Sequence, residues 1–305
     1  MKSDPHEFMR IGVIQYMVYP QVAGGRGPIL ESLREFCADD YFQEIEVTEM
    51  KNTSVRAEAR GYLQGKGRGV SFCAQPVLLR NKLNLSEADT EERTKDLDEV
   101  KRIMDQAVEW KASCFQVCSG PDPRPEERDD AKVRLVGSLK EICEASRTRN
   151  GPAVLLEPMD RQPFGKRRLI GPTAEAVEVA RVVAPYYPRF GLTLDLSHLP
   201  LLSEPAVEAV TKAADYLKHV HIGNCVIRDP KHPAYGDEHP PIGIREGEIG
   251  TEQLAAFLKG LLEVGYLREG GRNTVSFSVK PLKRQNVGEL LASCKKTLAA
   301  AWQMI

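Results

Sequence analysis

Gly191-Leu-Thr-Leu-Asp-Leu-Ser-His198 holds two signals in one short stretch. The run Gly191 to Asp195 has the length and apolar character of a buried strand, and it ends on a carboxylate. Amphipathic segments flank it, Thr173 to Ala184 before and Glu204 to Ala214 after, each with the periodicity of a helix. A strand set between two helices is the repeating unit of a parallel sheet.

The same alternation continues in both directions. Upstream, strands are predicted at Arg10 to Tyr16, near Gln43 to Thr48, at Gly69 to Ala74, Ser113 to Cys118 and Pro152 to Glu157. Helices are predicted between them at Pro28 to Cys37, Ser86 to Trp110 and Glu126 to Arg147, with Ser86-x-x-Asp89 read as a capped, acidic first turn. Downstream, Leu217 to Ile222 and Thr274 to Val279 read as strands, and Thr251 to Val264 and Val287 to Trp302 as helices. Eight strands in one composition regime point to a closed α/β fold, a (β/α)8 TIM barrel, over a doubly wound sheet. The 305 residues suit one barrel domain, 1–305, closed by the helix 287–302. A phosphate-binding glycine turn is not evident after the first strand, where Gln15-Tyr-Met-Val-Tyr-Pro20 stands instead. Gly24-Gly-Arg-Gly27 comes later without a Lys-Ser/Thr pair and reads as a loop.

Charge and composition narrow the function. With 42 basic and 43 acidic side chains the net charge is −1, which argues against a nucleic-acid partner. No apolar stretch is long enough to span a bilayer, and the polar Met1 to Arg10 lacks the apolar core of a signal peptide. Seven scattered cysteines, an odd number, read as buried thiols of a reducing compartment, so a cytoplasmic location is expected.

In a barrel, residues at the C-terminal tips of the strands converge on one mouth. Strand five ends in Glu157, strand six in Asp195 and strand seven in His221. Unpaired, each would cost several kcal/mol to bury, so three polar ends on three apolar strands are poorly explained as packing. Two carboxylates and an imidazole form a donor set suited to one divalent ion: Mn²⁺ foremost, or Mg²⁺, Co²⁺ or Zn²⁺. His198, three positions past Asp195, can reach back over the mouth as ligand, ligand partner or substrate contact. Asp237 and His239, in the Pro- and Gly-rich loop after strand seven, read either as ligands or substrate contacts or as a solvated loop. Arg161, Lys166, Arg167 and Arg168 follow strand five, where a basic cluster either holds an anionic substrate group or is solvated. Lys280 ends the last strand and is placed to pair with an acid nearby.

The segments Leu155-Leu-Glu-Pro158, Leu194-Asp-Leu-Ser-His198, His219-Val-His-Ile-Gly-Asn224 and Val275-Ser-Phe-Ser-Val-Lys-Pro281 resemble the sugar phosphate isomerase/epimerase families of the xylose-isomerase-like barrels. More distantly they are similar to the AP endonucleases, whose loop Asp-x-His ligands Asp237 and His239 resemble. The resemblance implies one divalent metal held by Glu, Asp, His and Glu from strands five to eight, with the two Glu residues as acid and base. Glu157, Asp195 and His221 match the first three, and the fourth ligand position falls on Ser278. A neutral serine is a weaker ligand for a hard cation, and it removes one of the two bases of a symmetric epimerisation.

The expected activity is that of a metal-dependent sugar isomerase or epimerase, transferring a proton beside a carbonyl of a sugar or polyol through an enediolate. Glu157 would serve as the base and His198 would orient substrate, with Arg161, Asp237, His239 and Lys280 as substrate contacts. Two other readings stand beside it. One is metal-assisted β-elimination on an oxidised sugar or glycoside, which needs a single base. The other is a barrel with impaired catalysis that serves as a binding or interaction protein. Barrels of this group often form homo-oligomers.

Overall fold

A computed structural model describes residues 4–162 and 164–305. Eight parallel strands, β1 (Arg10–Ile14), β2 (Glu44–Val47), β3 (Gly69–Cys73), β4 (Cys114–Cys118), β5 (Ala153–Glu157), β6 (Gly191–Asp195), β7 (Leu217–Gly223) and β8 (Thr274–Ser278), pair in chain order. The last closes on the first, with Gly12 opposite Ser276. The predicted (β/α)8 barrel is therefore the observed fold.

Among the described residues, ten α-helices connect or flank the strands. They are α1 (Gln15–Val18), α2 (Ile29–Phe36), α3 (Thr53–Gly65), α4 (Gln75–Asn81), α5 (Thr90–Glu109), α6 (Arg128–Thr148), α7 (Thr173–Val183), α8 (Ala206–Ala213), α9 (Thr251–Glu263) and α10 (Val287–Trp302). None is long and apolar enough to cross a membrane. The helix read as starting at Ser86 begins four residues later. Asp89 is its cap, accepting from the amides of Glu91 and Glu92 at 2.8 and 3.0 Å. Ser86 is spent elsewhere, donating to Asn84 Oδ1 at 3.0 Å.

Strand alternation sorts the side chains into two populations. Ile11, Val13, Ile45, Val47, Phe72, Phe115, Val117, Val154, Leu156, Leu192, Leu194, Val220, Ile222, Val275 and Phe277 are buried and form the layer beneath the helices. The alternate positions carry Glu44, Glu46, Ser71, Cys73, Gln116, Thr193, His219, His221 and Ser276, also buried. These face the barrel interior, where several bond across it, while Ser276 Oγ meets no hydrogen-bond partner among the described residues. Glu46 of β2 reaches His219 of β7, and Thr193 of β6 reaches Gln116 of β4. A barrel interior is more often filled by branched apolar side chains; here it is a hydrogen-bonded polar stack. The stack is also tight: a Cβ on Gly12 would lie 2.2 Å from Ser276 Oγ. All seven cysteines are buried free thiols.

Candidate metal centre

Every strand from β5 to β8 delivers a polar residue to its C-terminal end, and barrel closure aims these ends at one cavity of about 270 Å³. Glu157, Asp195, His221 and Ser278 line it together with His198, Asp237, His239, Lys166 and Lys280. Register explains the convergence. Asp195 is paired with His221, and Ser278 with Gly223, so the tips of adjacent strands lie at similar heights. Ile14, Tyr16, Met17, Pro20, Pro76, Leu79 and Met159 form the apolar side of the same cavity.

The inner group is Glu157, Asp195 and His221, whose donor atoms all lie within 4.8 Å of one another. His221 Nδ1 is 3.1 Å from Glu157 Oε1 and 3.7 Å from Asp195 Oδ2. Glu157 Oε2 accepts from Gln75 Nε2 at 2.9 Å. Asp195 Oδ1 accepts from the amide and hydroxyl of Ser197, at 2.8 and 2.7 Å. Its Oδ2 is buried and accepts no hydrogen bond among the described residues. Burial opposes ionisation of Asp195, but His221, His239 and His198 outweigh it and hold the carboxyl well below its ordinary range.

A second group sits beside the first. His239 Nε2 is 2.7 Å from Asp237 Oδ1, and His198 Nδ1 is 3.6 Å from the same oxygen. The donor atoms of Asp195, His198 and His239 also lie within 4.8 Å of one another, as do those of Asp160, His198 and Asp237. Burial would lower the pKa of His198, yet Asp237, Asp195 and Glu157 raise it above the ordinary value. Asp237, desolvated but faced by His198, His239 and Lys166, is held well below the carboxylate range.

A charged, mixed O/N cluster with an orphaned carboxylate oxygen fits a hard or borderline divalent cation. Without an ion, the buried Asp195 Oδ2 has no hydrogen-bond donor among the described residues. At the fourth position Ser278 brings a hydroxyl, which contacts His239 Nδ1 at 3.0 Å.

The other predicted contacts divide. Asp237, His239 and Lys280 line the cavity, and Lys280 Nζ pairs with Glu238 at 3.2 Å, as the expectation of a nearby acid had it. Arg161 does not line the cavity. Its guanidinium is taken by Glu175, near the start of α7, and by the carbonyl of Leu169, so its proposed substrate contact is corrected to a structural ion pair. Lys166 enters the cavity from the same loop, with Nζ 2.9 Å from Asp237 Oδ2. Sequence reading also missed Asp160, Gln75, Tyr16 and Glu46. Of these only Glu46 carried a signal, the alternation Glu44-Ile-Glu46-Val on a buried strand.

Fold and site together define a barrel with a polar, cation-receptive mouth. The profile of the xylose isomerase-like TIM barrel family matches residues 37–268, and the chain belongs to that family. Among solved structures it is similar to a D-tagatose 3-epimerase-like protein, 18% identical over 97% of this chain and 98% of that one, with a TM-score of 0.72. It is also similar to the IOLI protein, solved with a bound zinc atom, at 16% identity over 97% and 99% of the chains and a TM-score of 0.73. A third is the 3-keto-D-glucoside 4-epimerase YcjR from E. coli in its apo form, at 17% identity over 97% and 99% and a TM-score of 0.68. At these identities the likeness carries the fold. No curated protein matches the sequence.

Proposed function

We propose that the chain is a divalent-metal-dependent isomerase or epimerase that moves a proton beside the carbonyl of a small sugar or polyol. The observation that carries the reading is the convergence of Glu157, Asp195 and His221 around the orphaned Asp195 Oδ2. The solved relatives named for sugar epimerisation support the substrate class. Glu157, Asp195 and His221 would hold the ion, Mn²⁺ foremost. When bound, the ion supplies Lewis acidity that polarises a substrate carbonyl and makes the neighbouring C–H acidic.

The chain's own groups supply the rest. Glu157 is the base: it borders the cavity, and Gln75 anchors its Oε2 at 2.9 Å. His198 and Tyr16 orient substrate oxygens. The Tyr16 phenol is pushed well above its ordinary pKa by burial and by Cys73, Glu157 and Glu46, so it acts as a hydrogen-bond donor. Lys166 and Asp237 hold each other in place and fix the loop that bears His239. The apolar wall from β1, α1 and α4 keeps water from the opposite face of the substrate.

Ser278 favours a second reading. With no carboxylate there, Glu157 lacks the opposing glutamate of a two-base epimerisation. A one-base β-elimination on an oxidised sugar uses the same groups: Glu157 takes the α-proton and the β-substituent leaves with the C–O bonding pair.

Two measurements test these readings. Metal-stripped protein titrated with Mn²⁺ by calorimetry should take up ion, and Ser278→Glu should bind it about tenfold more tightly or better, since affinity follows ligand charge. If neither protein takes up ion, the metal reading fails. Ketohexoses and 3-keto-glycosides incubated in D₂O should then gain deuterium next to the carbonyl. Release of the β-substituent without epimer favours elimination, and no exchange with any of them removes both reactions.

A further inference from the structure

We infer that Glu46, on β2, is a positioning residue that aims His221 so that Nδ1 is the ring nitrogen offered to the ion; this rests on the metal reading of the site above. His221 Nε2 is 3.1 Å from Glu46 Oε2, while Nδ1 faces Glu157 and Asp195. A half-turn of the imidazole would put carbons where both nitrogens now stand and break the contacts on both sides. A proton kept on Nε2 by Glu46 leaves the Nδ1 lone pair for a cation.

Glu46 is itself held rigidly. Gln116 Nε2 donates to Oε2 at 2.6 Å and Cys73 Sγ at 3.2 Å, and His219 Nε2 contacts Oε1 at 2.7 Å. Thr193 Oγ1 donates to Gln116 Oε1 at 2.9 Å, which turns the amide nitrogen of Gln116 toward Glu46. Glu46 is 0% exposed and does not line the cavity, so it touches no substrate. Among the described residues no lysine or arginine pairs with it; its ion-pair contacts are the imidazoles of His219 and His221. A leucine of similar volume would fill the space without the cost of desolvating a carboxylate. Packing therefore does not account for a glutamate here, whereas control of the ring above it does.

The test uses ¹⁵N-histidine-labelled full chain with Zn²⁺, which is diamagnetic, and the variants Glu46→Leu and Glu46→Gln. In the unsubstituted protein Zn²⁺ should shift Nδ1 of His221 while Nε2 keeps its proton; ligation through Nε2 would overturn the inference whether or not any variant folds. Glu46→Leu should weaken Zn²⁺ binding about 10- to 100-fold, and Glu46→Gln, whose carbonyl still accepts from His221, should restore most of it. Folded Glu46→Leu binding within about threefold of the parent would also overturn it. If the parent takes up no Zn²⁺, the metal reading fails by itself. The ion-free protein then decides the role of Glu46: a hydrogen-bonded Nε2 proton on His221 that disappears in Glu46→Leu supports it, and one that persists refutes it.

Discussion

Glu157 stands between two partners that restrain it differently: Gln75 donates to Oε2, and His221 faces Oε1 across 3.1 Å. Replacing it with glutamine keeps its shape while removing a basic, ion-binding oxygen. Glu157→Gln should therefore lower solvent deuterium exchange into substrate by about 10²- to 10⁴-fold, the range of a lost general base. Circular dichroism should show the fold unchanged. An exchange rate within a few-fold of the parent would assign the proton transfer to another group. The mouth residues differ in how far local sequence displays them. Glu157 and Asp195 end the apolar strands β5 and β6, and His221 lies two residues before the end of β7, so alternation alone marks them. Arg161 and Lys166 share one loop, and nothing local says which turns inward. Glu175 draws the first outward and Asp237 draws the second to the cavity.

The start of α5 shows the same division at the level of an element. Ser86 and Asp89 are both good caps by residue type, but the chain turns helical only at Thr90 and the free amides of its first turn meet Asp89. Asp89→Ala should lower the midpoint of urea denaturation, the ordinary consequence of losing a helix cap. An unchanged midpoint would mean the first turn frays without penalty. The helices that sequence reading passed over have physical reasons for being faint. Helix α3 buries only Ala59 and Leu63, so its apolar stripe is too thin to show a period. Helices α1 and α4, Gln15–Val18 and Gln75–Asn81, are one or two turns long, too short for periodicity to register. Both nevertheless shape the mouth, with Tyr16, Met17, Gln75 and Leu79 lining the cavity.

Across the whole molecule, buried thiols set an alkaline limit. Burial pushes Cys143 up to about 12 and Cys118 up to about 11, and Cys114, buried near Glu46, up to about 12. In the unfolded chain these thiols ionise near 9, so the unfolded state loses protons first. Their contribution to stability is intact below pH 9 and is lost as pH rises from 9 toward 12. Each adds a slope of at most about 1.4 kcal/mol per pH unit in that window. Thermal melts should hold level from pH 7 to 8.5 and fall steeply above 9, and Cys143→Ser should reduce the slope. A melting temperature flat to pH 11 would show that these thiols ionise without unfolding.

By itself the sequence determined the alternation of strands and helices, the (β/α)8 fold and the three polar strand ends, because side-chain alternation and helical periodicity are properties of adjacent residues. Through the family it resembles, it also marked Ser278 as the position of an expected fourth carboxylate, and the structure has that serine at the mouth beside His239. Only the tertiary structure decided that Glu46 lies beneath His221, 175 residues further along the chain, and that the barrel interior is polar. Barrel closure brings the interior faces of β2 and β7 together, and no local pattern encodes a contact whose two halves meet only when the sheet has closed on itself.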